Sequence, residues 1–377
     1  MMTEGIIFSN LHDDAIPELT KVRTMASLPF ACRYRLIDFP LSNMVNSGIN
    51  SVYVVTTRNY QSLLDHVGSG KDWDLARRSG GLKVMTPYMS AFAGTGIARF
   101  NSRMEALKSI TNTIFNMTSD YVVLSDCDGI CNINISDMIA QHERTGADIT
   151  VAVKKMDVTP EKAARSVIVE SDEEGRITEA LIRPSRITGE HDVNINIWVV
   201  SRRYLQVMVH DAMARNLTSM SRDFLARNAA FAKYMIYRYD GFYANFSSLQ
   251  DYFACSMSLL GDSGERNSIF SVKNRPIITK VRNSTPTKYS DDAKVKNSLI
   301  ADGCVIEGTV ENSILFRGVK VGKNTVIKNS ILFQDTYTGS SVNLNCVITD
   351  KNVVIRDYRT LSGSESMPFC IEKGKMI

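Results

Sequence analysis

The chain has 377 residues, a formal charge of +4 and 22% charged side chains. That length exceeds what one hydrophobic core usually serves, so two domains are expected. The mild positive balance, with no clustered basic stripe, argues against a nucleic-acid partner.

Seven cysteines without regular spacing read as reduced thiols. The opening MMTEGIIFSNLHDD lacks the basic and long apolar regions of a signal peptide. No uncharged apolar run approaches the roughly 18 residues that span a bilayer. A cytoplasmic protein with no membrane association is expected.

In chain order, GIIFSN at 5–10 opens as a short buried strand. A phosphate-binding loop after such a strand is normally rich in glycine, which lets backbone N–H groups come close to phosphates. Here residues 10–15 are NLHDDA, with no glycine. Asp13 and Asp14 are expected to place negative charge where phosphates would sit, or to cap a short turn. Residues 33–49, RYRLIDFPLSNMVNSGI, read as a turn, a helix capped by Ser42 and stopped at Ser47-Gly48, and the entry to a buried strand, SVYVVTT. His66 lies in the next helical stretch and reads as structural. A Gly-Thr insert occupies 94–99, and Ser102-Arg103-Met104-Glu105-Ala106 follows.

YVVLS at 121–125 is a good strand, and Asp126-Cys127-Asp128 stands at its carboxyl end. Ligand sites of open α/β sheets form at such ends, and a carboxylate there suits Mg²⁺ bridging phosphates. A helix at 135–144 and a strand from 149 come next. Residues 261–285, rich in Gly, Ser, Asn and Pro, show no helical period and read as a linker. From about 289 the chain turns to short β-branched pieces with small corner residues. Asn-Ser-Ile-Leu is written twice, at 312–315 and 329–332. A repeat near six residues predicts a parallel β-helix. EKGKMI at the end reads as a frayed tail.

The motifs RLIDFPLSN and NSGI, the Trp73-Asp74-Leu75 loop and the repeat occur in an order that closely resembles the ADP-glucose pyrophosphorylases, or glucose-1-phosphate adenylyltransferases. The resemblance implies an α/β fold: a Rossmann-like, GT-A-like nucleotidyltransferase domain at 1–260, a linker at 261–288 and a left-handed β-helix at 289–377. It also implies a set of working positions, and several have changed. The Arg of the family's glycine loop falls on Ala15 and its catalytic Lys on Met25. Asp128 matches the first metal carboxylate, with Cys127 in place of a Gly and Gly129 in place of a His. The second metal carboxylate falls on Asn245. The sugar-side Glu-Lys-Pro becomes Ile182-Arg183-Pro184, and Ser-Met-Gly becomes Asn194-Ile195-Asn196.

A scaffold kept while its chemistry is lost resembles the regulatory, GlgD-type subunit of the family. That implies a catalytic partner chain in a heterotetramer, with Mg²⁺ used by the partner and no cofactor on this chain alone. Sugar-phosphate effectors are implied between the domains, with Arg33 at the family's Lys position and Lys323 or Lys328 on the coil side. The alternative is an active transferase in which Asp126 and Asp128 both serve the metal. A β-helix acyltransferase needs a general-base histidine in the coils, and none follows His210.

Overall fold

The computed structural model describes residues 2–86, 100–261 and 264–377. The Gly-Thr insert at 94–99 lies outside them.

The first half is built on nine strands: β1 (Thr3–Phe8), β2 (Ser51–Val55), β3 (Gly81–Met85), β4 (Tyr121–Asp126), β5 (Ile149–Val158), β6 (Val167–Ser171), β7 (Ile177–Ile182), β8 (Gly189–Ser201) and β9 (Tyr234–Arg238). They pair in the order β7-β6-β8-β4-β1-β2-β3, with β5 also on β8 and β9 on β5. The run from β4 through β1 and β2 to β3 is parallel, and β8 is antiparallel to β4. Parallel strands covered on both faces need apolar side chains on both, which is why SVYVV and YVVLS show no alternation. Along β1, Ile6 and Phe8 enter one core layer with Met104, Leu107, Leu205 and Met208. These come from helices α2 (Arg103–Ser109) and α4 (Arg202–Ala214). Ile7 faces the other layer with Leu41, Met44, Ile135 and Met138, from α1 (Asp38–Asn46) and α3 (Ile135–Thr145).

The expected helix start at Ser42 is corrected, because α1 begins at Asp38. Asp38 accepts from the Arg35 backbone N–H at 3.0 Å, so its carboxylate fastens the turn before the helix. Ser42 instead donates back to the Asp38 carbonyl and accepts from the Ile278 N–H at 2.8 Å. Asp38 is also the partner of His66, at 2.6 Å.

The second half is a left-handed parallel β-helix of three five-stranded sheets. The repeated Asn-Ser-Ile-Leu has one physical task per residue. Asn297, Asn312 and Asn329 take positive φ at stacked corners, a conformation Asn tolerates better than most residues. Ser298, Ser313 and Ser330 form a ladder in which each hydroxyl accepts the N–H of the next coil, at 3.1 to 3.2 Å. Leu315 and Leu332 fill the coil interior. Ile314 and Ile331 face outward, onto the first domain, with Phe316 and Phe333. Tyr252 of helix α5 (Leu249–Ser258) meets Phe333 edge-on at 6.4 Å, and its hydroxyl donates to the Pro29 carbonyl.

Two further expectations are corrected. The supposed linker holds helix α6 (Gly264–Phe270). Ile269 is buried and Phe270 stacks on Tyr34 at 4.8 Å, so tertiary packing supplies what local periodicity lacks. The C-terminal residues are not frayed: Met376 bridges Val354, and the Ile377 N–H donates to the Val354 carbonyl. Among the described residues no helix is long and apolar enough to cross a membrane.

Candidate functional site

Strand β4 delivers Asp126 and Asp128 to the carboxyl edge of the sheet, both 5% exposed. Cys127 between them points into the apolar layer. Arg103, the first residue of α2, places a two-pronged guanidinium on Asp126, with Nε to Oδ1 at 2.8 Å and Nη2 to Oδ2 at 2.5 Å. Ser102 starts that helix by accepting the Glu105 N–H. The guanidinium also lies 5.9 Å from the Trp198 ring. His12, from the loop after β1, sets Nε2 at 2.8 Å from Asp126 and 3.4 Å from Asp128.

Asp128 Oδ2 receives two amides, Asn245 Nδ2 at 2.8 Å and Asn196 Nδ2 at 3.3 Å. Asn196 has φ of 63° at an irregularity in β8 and is held there by Asn194, whose Oδ1 accepts from the Asn196 N–H and from Trp198 Nε1. The cavity beside the carboxylates is lined by Phe39, Gly129, Ile195 and Tyr243, among others, and measures about 10 Å³, room for one water. A Cβ on Gly129 would lie 2.9 Å from Tyr243, so that ring is packed directly over the backbone.

Charge follows the geometry. Burial alone would raise the Asp126 carboxyl, but Arg103 and His12 hold it down at about 2. Burial works against protonation of His12, yet Asp128 and Asp126 raise its pKa above the usual value. Among the described residues, His12, Asp126 and Asp128 are the group close enough together to hold an ion. A magnesium ion needs oxygen donors turned toward it. What faces these carboxylates is N–H: guanidinium, imidazole and two amides. As arranged, the set does not fit Mg²⁺.

The nucleotidyl transferase family matches residues 16–236, and the GlmU-like C-terminal hexapeptide family matches 284–365. The chain is 31% identical over 370 residues to the glycogen biosynthesis protein GlgD of Bacillus subtilis, covering 98% of this chain and 95% of that protein. It is 33% identical over 315 residues to a glucose-1-phosphate adenylyltransferase of Clostridium acetobutylicum, covering 82% and 80% of the two chains. It is also 33% identical over 314 residues to one of Geobacillus stearothermophilus, covering 80% and 77%. The chain belongs to the glucose-1-phosphate adenylyltransferase family.

Within that family's frame, the positions singled out in the sequence fall in three places. Met25 is 1% exposed in the inter-domain apolar cluster, with Ala15 packed at its margin. The Met25 N–H donates to Asp13 Oδ1 at 2.7 Å. Asp13 is therefore a buried organiser of its loop, with burial raising its carboxyl to about 6, rather than a charge held out toward a phosphate. Asp128, Asn245 and Asn194 do come together, as described above. Ile182 and Arg183 do not join them: Leu181 pairs with Ile168, and Ile168 with Val193, so they lie two strands from Asn194, roughly 10 Å away.

The supposed effector residues separate as well. Arg33 is exposed beside the Tyr34 ring. Lys323 and Lys328 are exposed on the β-helix, and Lys328 pairs with Glu311 at 3.2 Å on a sheet other than the one docked to the first domain. The coil cation near Arg33 is Arg317, since both act on the Cys32 thiol. A denser group of cations, Arg23, Arg35, Arg282 and Lys351, meets at the junction of the two domains. Burial lowers the Lys351 pKa to about 7, with Arg35, Arg23 and Arg282 adding to the shift against Asp350.

Sequence reading missed His12 and Arg103 as site residues. The available signal was a basic residue, Arg103, in a chain whose Asp126-Cys127-Asp128 carries two acids.

Proposed function

We propose that this chain is a non-catalytic or barely catalytic regulatory subunit of ADP-glucose pyrophosphorylase in glycogen biosynthesis. Its catalytic partner chain converts ATP and glucose 1-phosphate to ADP-glucose and diphosphate, and the two chains form a heterotetramer. The observation that carries this reading is the contact between Asp128 and Asn245, in which an amide donor stands where metal-dependent transfer needs a second carboxylate. The burial of Met25 at the catalytic lysine position agrees with it.

Control enters at the domain junction. Arg35, Arg282 and Lys351 form a cationic set suited to a sugar phosphate, whose oxygens take charge-assisted hydrogen bonds. Arg23 belongs to that set and also donates to the Leu19 carbonyl, ahead of the loop that carries Met25. An effector bound there has a short physical route to the old nucleotide loop. Coupling of about 1–3 kcal/mol between the junction and the partner's active site is the usual scale.

The test is co-expression with the catalytic chain. Each chain alone and the mixture are assayed with Mg-ATP and glucose 1-phosphate, with and without fructose phosphates. Higher activity and altered effector response in the mixture support the proposal. Turnover by this chain alone in the ordinary enzyme range of about 1–10³ s⁻¹ would instead favour a rearranged transferase using His12, Asp126 and Asp128, the second reading that their proximity allows.

A further inference from the structure

We propose that Arg103 is an internal substitute for the divalent cation: its guanidinium pairs with Asp126, beside the His12 hydrogen bond to the same carboxylate, and closes the site to metal. The side chain is 13% exposed and grips both oxygens of a carboxylate that is 1% exposed. A guanidinium matches a carboxylate in this forked arrangement as a point charge does not. His12 Nε2 adds a hydrogen bond to the same carboxylate at 2.8 Å, so both Asp126 oxygens are already engaged by the chain's own groups. On the other flank, the Asn245 and Asn196 amides present N–H to Asp128 Oδ2, the polarity opposite to a metal ligand.

The arrangement is braced from outside the cluster. Trp198 lies under the guanidinium and is pinned by its indole N–H to Asn194. Ser102 caps the helix that carries Arg103 and donates its own hydroxyl to the Thr218 carbonyl at 2.5 Å. A metal would have to displace a braced, forked ion pair and then face amide N–H groups. The silence of this site is therefore active as well as passive: beyond the missing lysine and carboxylate, a cation of the chain's own occupies it.

The inference rests on reading the site as chemically silent, and the two can fail separately. Mn²⁺ bound by wild type through Asp128 without turnover would overturn this inference and leave the regulatory reading intact.

The experiment is a Mn²⁺ titration of the full chain, with free and bound ion counted by electron paramagnetic resonance. Wild type and Asp128→Asn are expected to give the same curve, with no ion at this site. Arg103→Ala is expected to bind one Mn²⁺ per chain, about tenfold or more tightly than wild type, because a positive charge beside the ion is gone. Adding Asp128→Asn should abolish that gain. Arg103→Lys keeps the charge and should not acquire the site. Mn²⁺ should also raise the melting temperature of Arg103→Ala but not that of wild type. Arg103→Gln, which retains much of the stem, takes the place of the alanine variant should that chain not fold. A Mn²⁺ ion held by wild type and lost in Asp128→Asn overturns the proposal without recourse to any Arg103 variant. A folded Arg103→Ala or Arg103→Gln chain with a wild-type Mn²⁺ curve overturns it as well.

Discussion

Arg23 and Asp350 join the two domains through a buried ion pair, Nη2 to Oδ1 at 2.6 Å, with the side chains 1% and 3% exposed. Arg23 spends a second donor on the Leu19 carbonyl at 3.0 Å. Asp350 also receives the Lys351 N–H. Breaking such a pair leaves a charge stranded away from water, which typically costs about 3–5 kcal/mol. Asp350→Ala is expected to lose that much stability in a urea melt. An unchanged midpoint would mean that the pair adds nothing to docking.

The aromatic side of the same junction makes a second prediction. Phe333 is fully buried between Phe316, at 5.0 Å, and Tyr252. Phe333→Ala is expected to cost about 3–5 kcal/mol. Because the lost contacts are inter-domain, calorimetry is expected to resolve two transitions in the variant and one in the intact chain. A single transition merely shifted downward would argue that the domains melt together regardless.

His142 sets an acid-side limit on stability. It is 1% exposed on α3, between the hydroxyls of Thr150 at 2.8 Å and Ser201 at 3.1 Å. Burial lowers its pKa to about 4. A histidine kept neutral in the fold contributes stability that is present above its unfolded value near 6.5 and is lost as pH falls toward 4. The loss amounts to about 3 kcal/mol. Unfolding free energy measured from pH 7 to pH 4 should fall accordingly, and His142→Gln should flatten the curve over that window.

Lys351 makes anion binding at the junction depend on pH. With its pKa held at about 7 by burial and neighbouring cations, it loses charge as pH rises through neutrality. Sulfate, doubly charged throughout, is the suitable probe. Its affinity, by titration calorimetry, should fall between pH 6 and pH 8 by up to about tenfold per unit. Lys351→Met should bind more weakly and lose the pH dependence. A wild-type affinity constant across that range would remove Lys351 from the site.

Short-range pattern indicated buried strands in the first half and a parallel β-helix in the second, and the family resemblance supplied the rest of the two architectures. The β-branched runs of β2 and β4 have no polar face, so they require cover on both sides. The Asn-Ser-Ile-Leu repeat carries one corner, one ladder rung, one outward and one inward side chain per coil. The resemblance placed Met25 and Asn245 at positions where the family carries charge, and the structure shows Met25 buried and Asn245 beside Asp128. What the pattern could not convey was which distant groups meet. His12, Arg103 and Asn245 come from segments far from Asp126-Cys127-Asp128, and only closure of the sheet and its loops brings them within hydrogen-bonding reach of those two carboxylates. The junction cations reveal the same limit. Arg33 matched a family position in charge, with Lys323 or Lys328 expected to supply the coil side, while Arg23, Arg35, Arg282 and Lys351 are gathered by the docking of the β-helix against the first domain. Helix α6 formed for a related reason, since burial of Ile269 and the stacking of Phe270 on Tyr34 outweighed a local composition that favours a loop. Sequence determined what each residue is able to do, and tertiary structure decided which charges share a low-dielectric space, where their interaction becomes large enough to matter.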